Sequence, residues 1–169
     1  MYGLTWRPVT GENAWAITAL LQAAYLKYNG KIPAQSNELK VAESIVPAMQ
    51  ALQTKIGAIL YAPEGTFGAD PGTISNENNF SAYAALRMAN QATGKPLYLQ
   101  MMQAQEQFLR NYGFDKANNL FYQGGIYRSG KFIPERAFAV DCQTWAISVL
   151  GPEVIDRWFG DGTAYKMWK

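Results

Sequence analysis

Acidic side chains recur at almost even spacing along this chain of 169 residues. Glu12, Glu77 and Asp141 are separated by 65 and 64 residues, and each precedes an aromatic side chain and an alanine-rich apolar segment. Hydrolysis of an acetal requires one protonated and one ionised carboxyl group, which enzymes obtain by placing two acids in different environments around one cleft. The three acids are therefore candidates for acid–base catalysis at a glycosidic bond.

Amide and aromatic side chains accompany these acids. Amides both donate and accept hydrogen bonds, as the binding of hydroxyl groups requires. Flat aromatic rings suit neutral polar ligands such as sugars. The residues that we expect to contact a sugar are Trp6, Asn13, Tyr61, Glu64, Asn76, Asn78, Gln143 and Trp145.

Each acid also has a purely structural interpretation. Ser, Asn or Asp before a helix, with Glu in its first turn, is the usual composition of a helix cap. Asp141 falls in an apolar run where a charge is costly unless it is paired, and Arg136 is a candidate partner. An acid followed by an aromatic residue recurs at equivalent positions three times. This recurrence favours a catalytic role, because helix caps do not require the same acid position or a following aromatic residue.

The composition excludes several kinds of site. The sequence has no histidine, which rules out histidine general bases and histidine metal ligands. The single cysteine, Cys142, lies among Val140, Thr144 and Trp145 and has no histidine partner, so it is interpreted as packing. The net charge is +2 with no basic stripe, so we expect no nucleic-acid partner, and no apolar run is long enough for a membrane span. We predict no metal and no cofactor.

The elements that position these residues alternate between apolar and amphipathic helices. Apolar spacing and Gly or Pro punctuation predict helices at about 13–28, 37–55, 77–92, 96–112 and 136–149. The first helix carries no charge before Lys27, so it should be enclosed on most sides. A short strand is expected at 56–61 and a small hairpin at 127–132, both in long loops.

Trp15, Phe80 and Trp145 mark a period of 65 residues, which indicates a stack or ring of repeated units. The segments TGENAWA at 10–16, SNENNFSAYAAL at 75–86 and VDCQTWA at 140–146 resemble the inner-helix starts of the six-hairpin, (α/α)6-toroid glycosidase-like superfamily. This resemblance implies a mainly all-α fold, a toroid-like array of helical hairpins with long loops and short β-hairpin insertions. It also implies that Glu12, Glu77 and Asp141 face a substrate cleft.

A full ring needs six hairpins, and this chain has length for about three. We therefore expect residues 1–169 to form a single domain, which is an incomplete (α/α)6 barrel. Its expected partners are an oligosaccharide or polysaccharide substrate and the remainder of a larger chain. The N-terminus does not have the pattern of a signal peptide, although a secreted or periplasmic parent protein fits the resemblance.

Three functions are open at this point. The first is a glycoside hydrolase-like module that uses two of the three acids as its acid and base. The second is a toroid that binds glycans without cleaving them. The third is a helical-repeat scaffold for another protein, in which the acids only cap helices.

Overall fold

A computed structural model of the protein describes residues 8–169 and is mainly helical, as the sequence predicts. Its helices are α1 Thr10–Lys27, α2 Asn37–Ala51, α3 Asn76–Thr93, α4 Pro96–Asn111, α5 Val140–Leu150, α6 Pro152–Phe159 and α7 Thr163–Trp168. Its strands are β1 Thr73–Ser75, β2 Phe114–Asp115, β3 Leu120–Phe121, β4 Gly124–Arg128 and β5 Lys131–Glu135. In this part of the chain, no helix is both long and apolar enough to cross a membrane.

Local sequence signals set the ends of several helices. Ser36 and Ser75 precede α2 and α3, and their hydroxyl groups accept hydrogen bonds from the backbone N–H groups of Leu39 and Asn78. Gly94 ends α3 with a φ of 67°, a left-handed conformation that glycine adopts without steric cost. Pro96 then begins α4 in the first turn, where its missing N–H would have no partner in any case.

The helices pack as two hairpins and the start of a third. Helices α1, α3 and α5 lie side by side in that order, while α2 packs on α1 and α4 packs on α3. The short helices α6 and α7 pack on α5. The core lies between the inner and outer helices and includes Ile17, Met49, Phe80 and Phe108, all fully buried. The three inner helices form an arc in which α3 occupies the centre.

Two small antiparallel sheets interrupt the helices. β4 pairs with both β1 and β5, and β2 pairs with β3. The turn between β4 and β5 contains Ser129 and Gly130, both with positive φ, which confirms the hairpin expected at 127–132. The strand expected at 56–61 is wrong, because only an isolated bridge joins Gln53 to Ile59 there. The fifth helix begins at Val140, later than expected, because residues 131–135 extend the hairpin.

The prediction that α1 is enclosed on most sides is also wrong. Trp15 is 49% exposed and Leu26 is 77% exposed, and Ala16, Ala19 and Ala23 between them are exposed as well. These residues recur at helical spacing and form one apolar face. Helix α1 lies at the end of the arc, with α2 and α3 against it, so its low charge does not give it a neighbour on every side.

Candidate acid–base site

The start of α1 is tied to the start of α3 through the chain segment 59–61. The backbone N–H of Thr10 donates to Tyr61 O at 2.8 Å, and the Thr10 hydroxyl donates to Leu60 O at 2.6 Å. The side chain of Asn79 pairs with both backbone groups of Ile59: its Oδ1 accepts from the N–H at 2.8 Å, and its Nδ2 donates to the C=O at 3.0 Å. The segment therefore fixes how the first turns of the two helices sit beside each other.

The starts of α3 and α5 are tied in the same way through the segment 121–123. The Gln143 side chain accepts from the N–H of Phe121 at 2.9 Å and donates to its C=O at 2.8 Å. From α3, Asn76 Nδ2 donates to Tyr122 O at 2.8 Å, and the Asn76 backbone N–H donates to Gln123 O at 2.9 Å. Two successive loop segments thus hold three helix starts at one end of the arc.

The structural repeat differs in register from the one that the aromatic residues indicate. Asn13, Asn79 and Gln143 each lie three residues after the first residue of their helix. Each donates its side-chain amide to the carbonyl oxygen four residues earlier, at Val9, Ser75 and Ala139. These three amide residues occupy equivalent positions, so they define a common frame for numbering positions along α1, α3 and α5. Asn79 was not among the predicted site residues, although its spacing of 64 from Gln143 could have revealed it.

In this frame the three acids are not equivalent. Glu77 and Asp141 are both second residues of their helices, whereas the second residue of α1 is Gly11 and Glu12 follows it. The expectation of three equivalent acids is therefore corrected to two. Glu12 is exposed in the first turn of α1, next to Gly11, which lies against the Asn78 side chain of α3.

Glu77 is half-buried, and its environment favours the protonated acid. Burial raises the pKa of Glu77 above its ordinary value, and the negative charge of Asp141 raises that pKa further. A hydrogen bond from the Ser81 hydroxyl to Glu77 Oε1, at 3.3 Å, opposes the shift. Asp141 is exposed, and its Oδ1 accepts from the backbone N–H of Cys142 at 2.8 Å. Two acids in contrasting environments therefore lie on neighbouring helix starts.

Cys142 is buried beside these two acids and acts as a packing residue. Burial, followed by the charge of Asp141, raises the pKa of the Cys142 thiol to about 12. The thiol stays protonated at neutral pH and donates weakly to Gln123 O at 3.7 Å. A nucleophilic cysteine needs a thiolate, so this environment does not suit covalent catalysis.

Two tryptophans contact each other close to Ser81, the residue that binds Glu77. The Trp145 indole N–H donates to Ser81 Oγ at 2.9 Å, and the Trp145 ring lies against the Trp15 ring with centroids 5.3 Å apart. Ser81 occupies the position in α3 that Trp15 and Trp145 occupy in their own helices, five residues after the first residue. Phe80, which the sequence period matched to these tryptophans, is instead fully buried against Phe121.

Several predicted sugar-contacting residues serve the fold. Asn76 is fully buried and holds the backbone carbonyls of Gly113 and Tyr122, and Gln143 is 3% exposed with its amide paired to Phe121 and Ala139. Asn78 is 6% exposed and its side chain abuts Gly11. These amides are therefore not presented to an open site in this structure.

The remaining predicted residues lie at the same end of the arc or outside the described residues. Tyr61 is half-buried, and its carbonyl oxygen accepts from the first residue of α1. Glu64 is exposed in the loop between α2 and β1. Asn13 is half-buried and its amide binds its own helix. Trp6 lies outside residues 8–169, so its predicted contact has no structural counterpart here.

A large cavity among residues 8–169 lies elsewhere. It has a volume of about 740 Å³ and is formed by the last turns of α1 and α3, including Tyr25, Leu26 and Met88. None of the predicted site residues lines it. Glu77 and Asp141 therefore belong to the opposite end of the inner helices. No cluster of three or more acidic or cysteine side chains in the described part of the chain could hold a metal ion.

The solved structures to which this fold is similar include alpha-mannanases. The GH76A alpha-1,6-mannanase of Salegentibacter sp. HEL1_6 matches 96% of this chain with a TM-score of 0.67 and 13% sequence identity. An inactive variant of that enzyme, with two aspartates replaced by asparagine, was solved with alpha-1,6-mannotriose and gives the same values. A GH76 alpha-mannanase from Bacteroides thetaiotaomicron matches 94% of the chain with a TM-score of 0.67 and 16% identity. The chain has the fold of the (α/α)6-toroid glycosidases.

The fold expected from the inner-helix motifs is thereby confirmed. The toroid match covers 46% of the Salegentibacter enzyme and 42% of the Bacteroides enzyme, so the chain spans less than half the length of either. The sequence matches no protein-family model and no curated protein sequence at a significant level. The similarity therefore lies in the arrangement of the helices.

Proposed function

We propose that this chain is a glycoside hydrolase-like module in which Glu77 is the general acid and Asp141 is the general base or nucleophile. The observation that carries the proposal is the contrast between the two carboxyl groups. Glu77 is half-buried with a raised pKa, and Asp141 is exposed on the next inner helix of a glycosidase fold. Acid catalysis of glycoside cleavage uses this division between a protonated and an ionised carboxyl group.

The division of roles follows from charge. A protonated Glu77 would donate its proton to the glycosidic oxygen as the bond breaks. An ionised Asp141 would stabilise positive charge that develops on the sugar ring, or activate water against it. The charge of Asp141 also makes ionisation of Glu77 less favourable, so it supports the protonated state of the proposed acid.

We propose an α-linked mannose oligosaccharide as the first substrate class to test. The supporting observation is the likeness to mannanases, one of which binds alpha-1,6-mannotriose. Trp15, which is 49% exposed and stacked on Trp145, would supply an aromatic surface for a sugar ring beside the acids. Tyr61, Glu64 and Glu12 lie at the same end of the arc and would contact sugar hydroxyl groups.

We further propose that residues 1–169 form one domain that contributes about three hairpins to a toroid. Helices α1 and α2 form the first hairpin and α3 and α4 the second, while α5 with α6 and α7 stands in the place of a third. The exposed apolar face of α1 supports this proposal, because an inner helix of a closed ring has neighbours on both sides.

The test is hydrolysis of α-1,6-linked mannotetraose by the wild type and two single variants. Glu77→Gln and Asp141→Asn keep side-chain size and remove one carboxyl group each, so each should lower kcat by about 10²- to 10⁴-fold. Glu153→Gln is a matched control, because Glu153 is exposed on α6. Full activity in both acid variants would contradict the assignment.

The pH dependence of kcat gives an independent check. Activity needs Glu77 protonated, so it should fall as the pH rises through the pKa of Glu77, which is raised above the ordinary glutamate value. Binding of the oligosaccharide without any cleavage by the wild type would favour the glycan-binding toroid instead. Absence of both binding and cleavage across a panel of sugars would favour the scaffold.

A further inference from the structure

A chain of two hydrogen bonds links α5 to the Glu77 carboxyl group on α3. The Trp145 indole N–H donates to Ser81 Oγ at 2.9 Å, and Ser81 Oγ lies 3.3 Å from Glu77 Oε1. Ser81 is one helical turn after Glu77 and is 5% exposed, so water has little access to its hydroxyl group. Trp145 of α5 is thus linked to one oxygen of the acid through the Ser81 hydroxyl.

The chemistry of these groups fixes the direction of the chain. An indole N–H is a donor only, so Ser81 Oγ must be the acceptor from Trp145. A serine hydroxyl has a single hydrogen, which Ser81 therefore has available for Glu77. The Ser81 hydroxyl donates this hydrogen to Glu77 Oε1, and the same bond is kept in the protonated acid when its proton is on Oε2.

The packing around the chain keeps it in place. The Trp145 ring is half-buried and stacks on Trp15 with an interplanar angle of 33°. Ser81 is the small residue at the position where the flanking helices carry these tryptophans, which leaves room for the Trp145 ring to reach across α3. A larger side chain at this position in the centre of the arc would compete with that ring for space.

We propose that Ser81 and Trp145 are positioning residues that hold Glu77 Oε1 and so leave Oε2 to deliver the proton. This inference rests on the proposed function for its catalytic consequence. Neither residue exchanges a proton with the substrate in this scheme. Their role is to select which oxygen of the acid faces the reaction and to limit rotation of the carboxyl group.

Other titratable groups near Glu77 could also change its titration and must be held constant. Helix α5 presents Asp141 and Cys142, both of which interact electrostatically with Glu77. Helix α1 presents Glu12 in its first turn, and α4 presents Glu106, which binds the Tyr83 hydroxyl at 2.7 Å. The variants below leave all four in place.

The direct test is the titration of the Glu77 carboxyl carbon by NMR in the ¹³C-labelled protein. The resonance is assigned by its absence from Glu77→Gln. The variants are Ser81→Ala, which removes the hydroxyl, and Trp145→Phe, which removes the indole N–H and keeps an aromatic ring. Trp15→Phe is the matched control, because it keeps the stacked ring and removes an indole N–H outside the chain.

We expect the pKa of Glu77 to rise in Ser81→Ala, because the hydrogen bond that favours the ionised form is lost. It should rise in Trp145→Phe as well, because an unanchored hydroxyl group aligns less well with Oε1. It should not change in Trp15→Phe. The double variant should match Ser81→Ala, since Trp145 acts through Ser81. Near-ultraviolet circular dichroism confirms that each variant is folded, and Trp145→Phe alone decides the proposal if Ser81→Ala does not fold.

Activity provides the second readout. On α-1,6-mannotetraose, Ser81→Ala and Trp145→Phe should each lower kcat by about three- to tenfold, as expected for one hydrogen bond. An unchanged pKa of Glu77 in Trp145→Phe would overturn the proposal. If the wild type has no hydrolytic activity but the pKa of Glu77 still rises in both variants, the hydrogen-bonded chain is supported and the proposed function is contradicted. The two failures are therefore distinguishable.

Discussion

Helices α1 and α3 have the same length and the same amide arrangement in their first turns, but they differ sharply in burial. Each has 18 residues, of which α1 buries six and α3 buries ten. The more buried helix has the more polar start, with Asn76, Asn78 and Asn79 all inside the fold. Position in the arc decides this difference, because α3 lies between α1 and α5 while α1 has an inner neighbour on one side only.

The contrast shows how the fold accommodates polar groups at the centre of the arc. The side-chain amide groups of Asn76 and Asn79 pair with backbone groups of the segments 59–61 and 121–123. The Asn79 amide is bonded through both its oxygen and its nitrogen and so avoids most of the cost of desolvation, while the Asn76 amide avoids part of it through Nδ2. In α1 the apolar Trp15 and Leu26 stay exposed instead. Apolar content along a helix therefore does not by itself indicate which inner helix is enclosed.

The largest effect that should separate the two helices is the loss of an aromatic ring. Phe80→Ala should lower the free energy of unfolding by about 3–5 kcal/mol, because Phe80 is fully buried and its removal leaves a cavity. Trp15→Ala should lower it less, by about 1–2 kcal/mol, because half of that side chain is already in solvent. Urea denaturation of both variants measures the difference.

Phe108→Ala is the control for this comparison, since Phe108 is equally buried in the outer helix α4. It should behave like Phe80→Ala. If Trp15→Ala and Phe80→Ala lowered the free energy of unfolding equally, the exposed face of α1 would be covered by a neighbour in solution. The contrast in burial between α1 and α3 would then be wrong.

The second effect concerns the equivalent amides. Asn79→Ala should lower the free energy of unfolding by about 2–4 kcal/mol, because it leaves the buried N–H and C=O of Ile59 without their partner. Asn13→Ala removes only a bond to the carbonyl oxygen of Val9, the residue before α1, and should cost less than about 1 kcal/mol. Denaturation midpoints with unchanged slopes would measure both.

Hydrogen exchange at Ile59 is a control on mechanism. Its amide should exchange faster in Asn79→Ala than the global loss of stability accounts for, and it should be unaffected locally in Asn13→Ala. A similar loss of stability in both variants would show that the segment 59–61 is held by contacts other than the Asn79 amide.

The sequence was sufficient for the architecture because local signals set the helices. Ser75 before α3, Gly94 after it and Pro96 at the start of α4 act within one or two turns and need no knowledge of the rest of the fold. The inner-helix motifs then indicated a toroid, which the structure confirms. The number of neighbours of each helix cannot be read from local signals. The low charge of α1 therefore predicts an enclosed helix, although α1 lies at the end of the arc.

The candidate site was predictable only in part. Glu77 and Asp141 lie in equivalent positions on neighbouring helices, in keeping with the even spacing of the acids. Glu12 is the third residue of its helix and not the second. The spacings of the three acids, 65 and 64 residues, do not reveal this shift, because loops can differ in length by one residue without any change of helix position. Ser81 was not predicted because a serine in a helix has no chemical signature until the Trp145 indole reaches it across α3.

The smallest effect probes the contact that joins the two helices. Gly11 in α1 lies so close to Asn78 of α3 that an added Cβ atom would overlap the Asn78 side-chain oxygen. Gly11→Ala should therefore lower the free energy of unfolding by about 1–2 kcal/mol through overpacking, although alanine is the better helix former. In the Asn78→Ala background the overlap is gone, and the same change should raise the free energy of unfolding by up to about 1 kcal/mol. A reversal of sign between the two backgrounds, measured by urea denaturation, would show that this contact sets the spacing of the helix starts. Stabilisation by Gly11→Ala in both backgrounds would show that α1 can move away from α3, as its position at the end of the arc would permit.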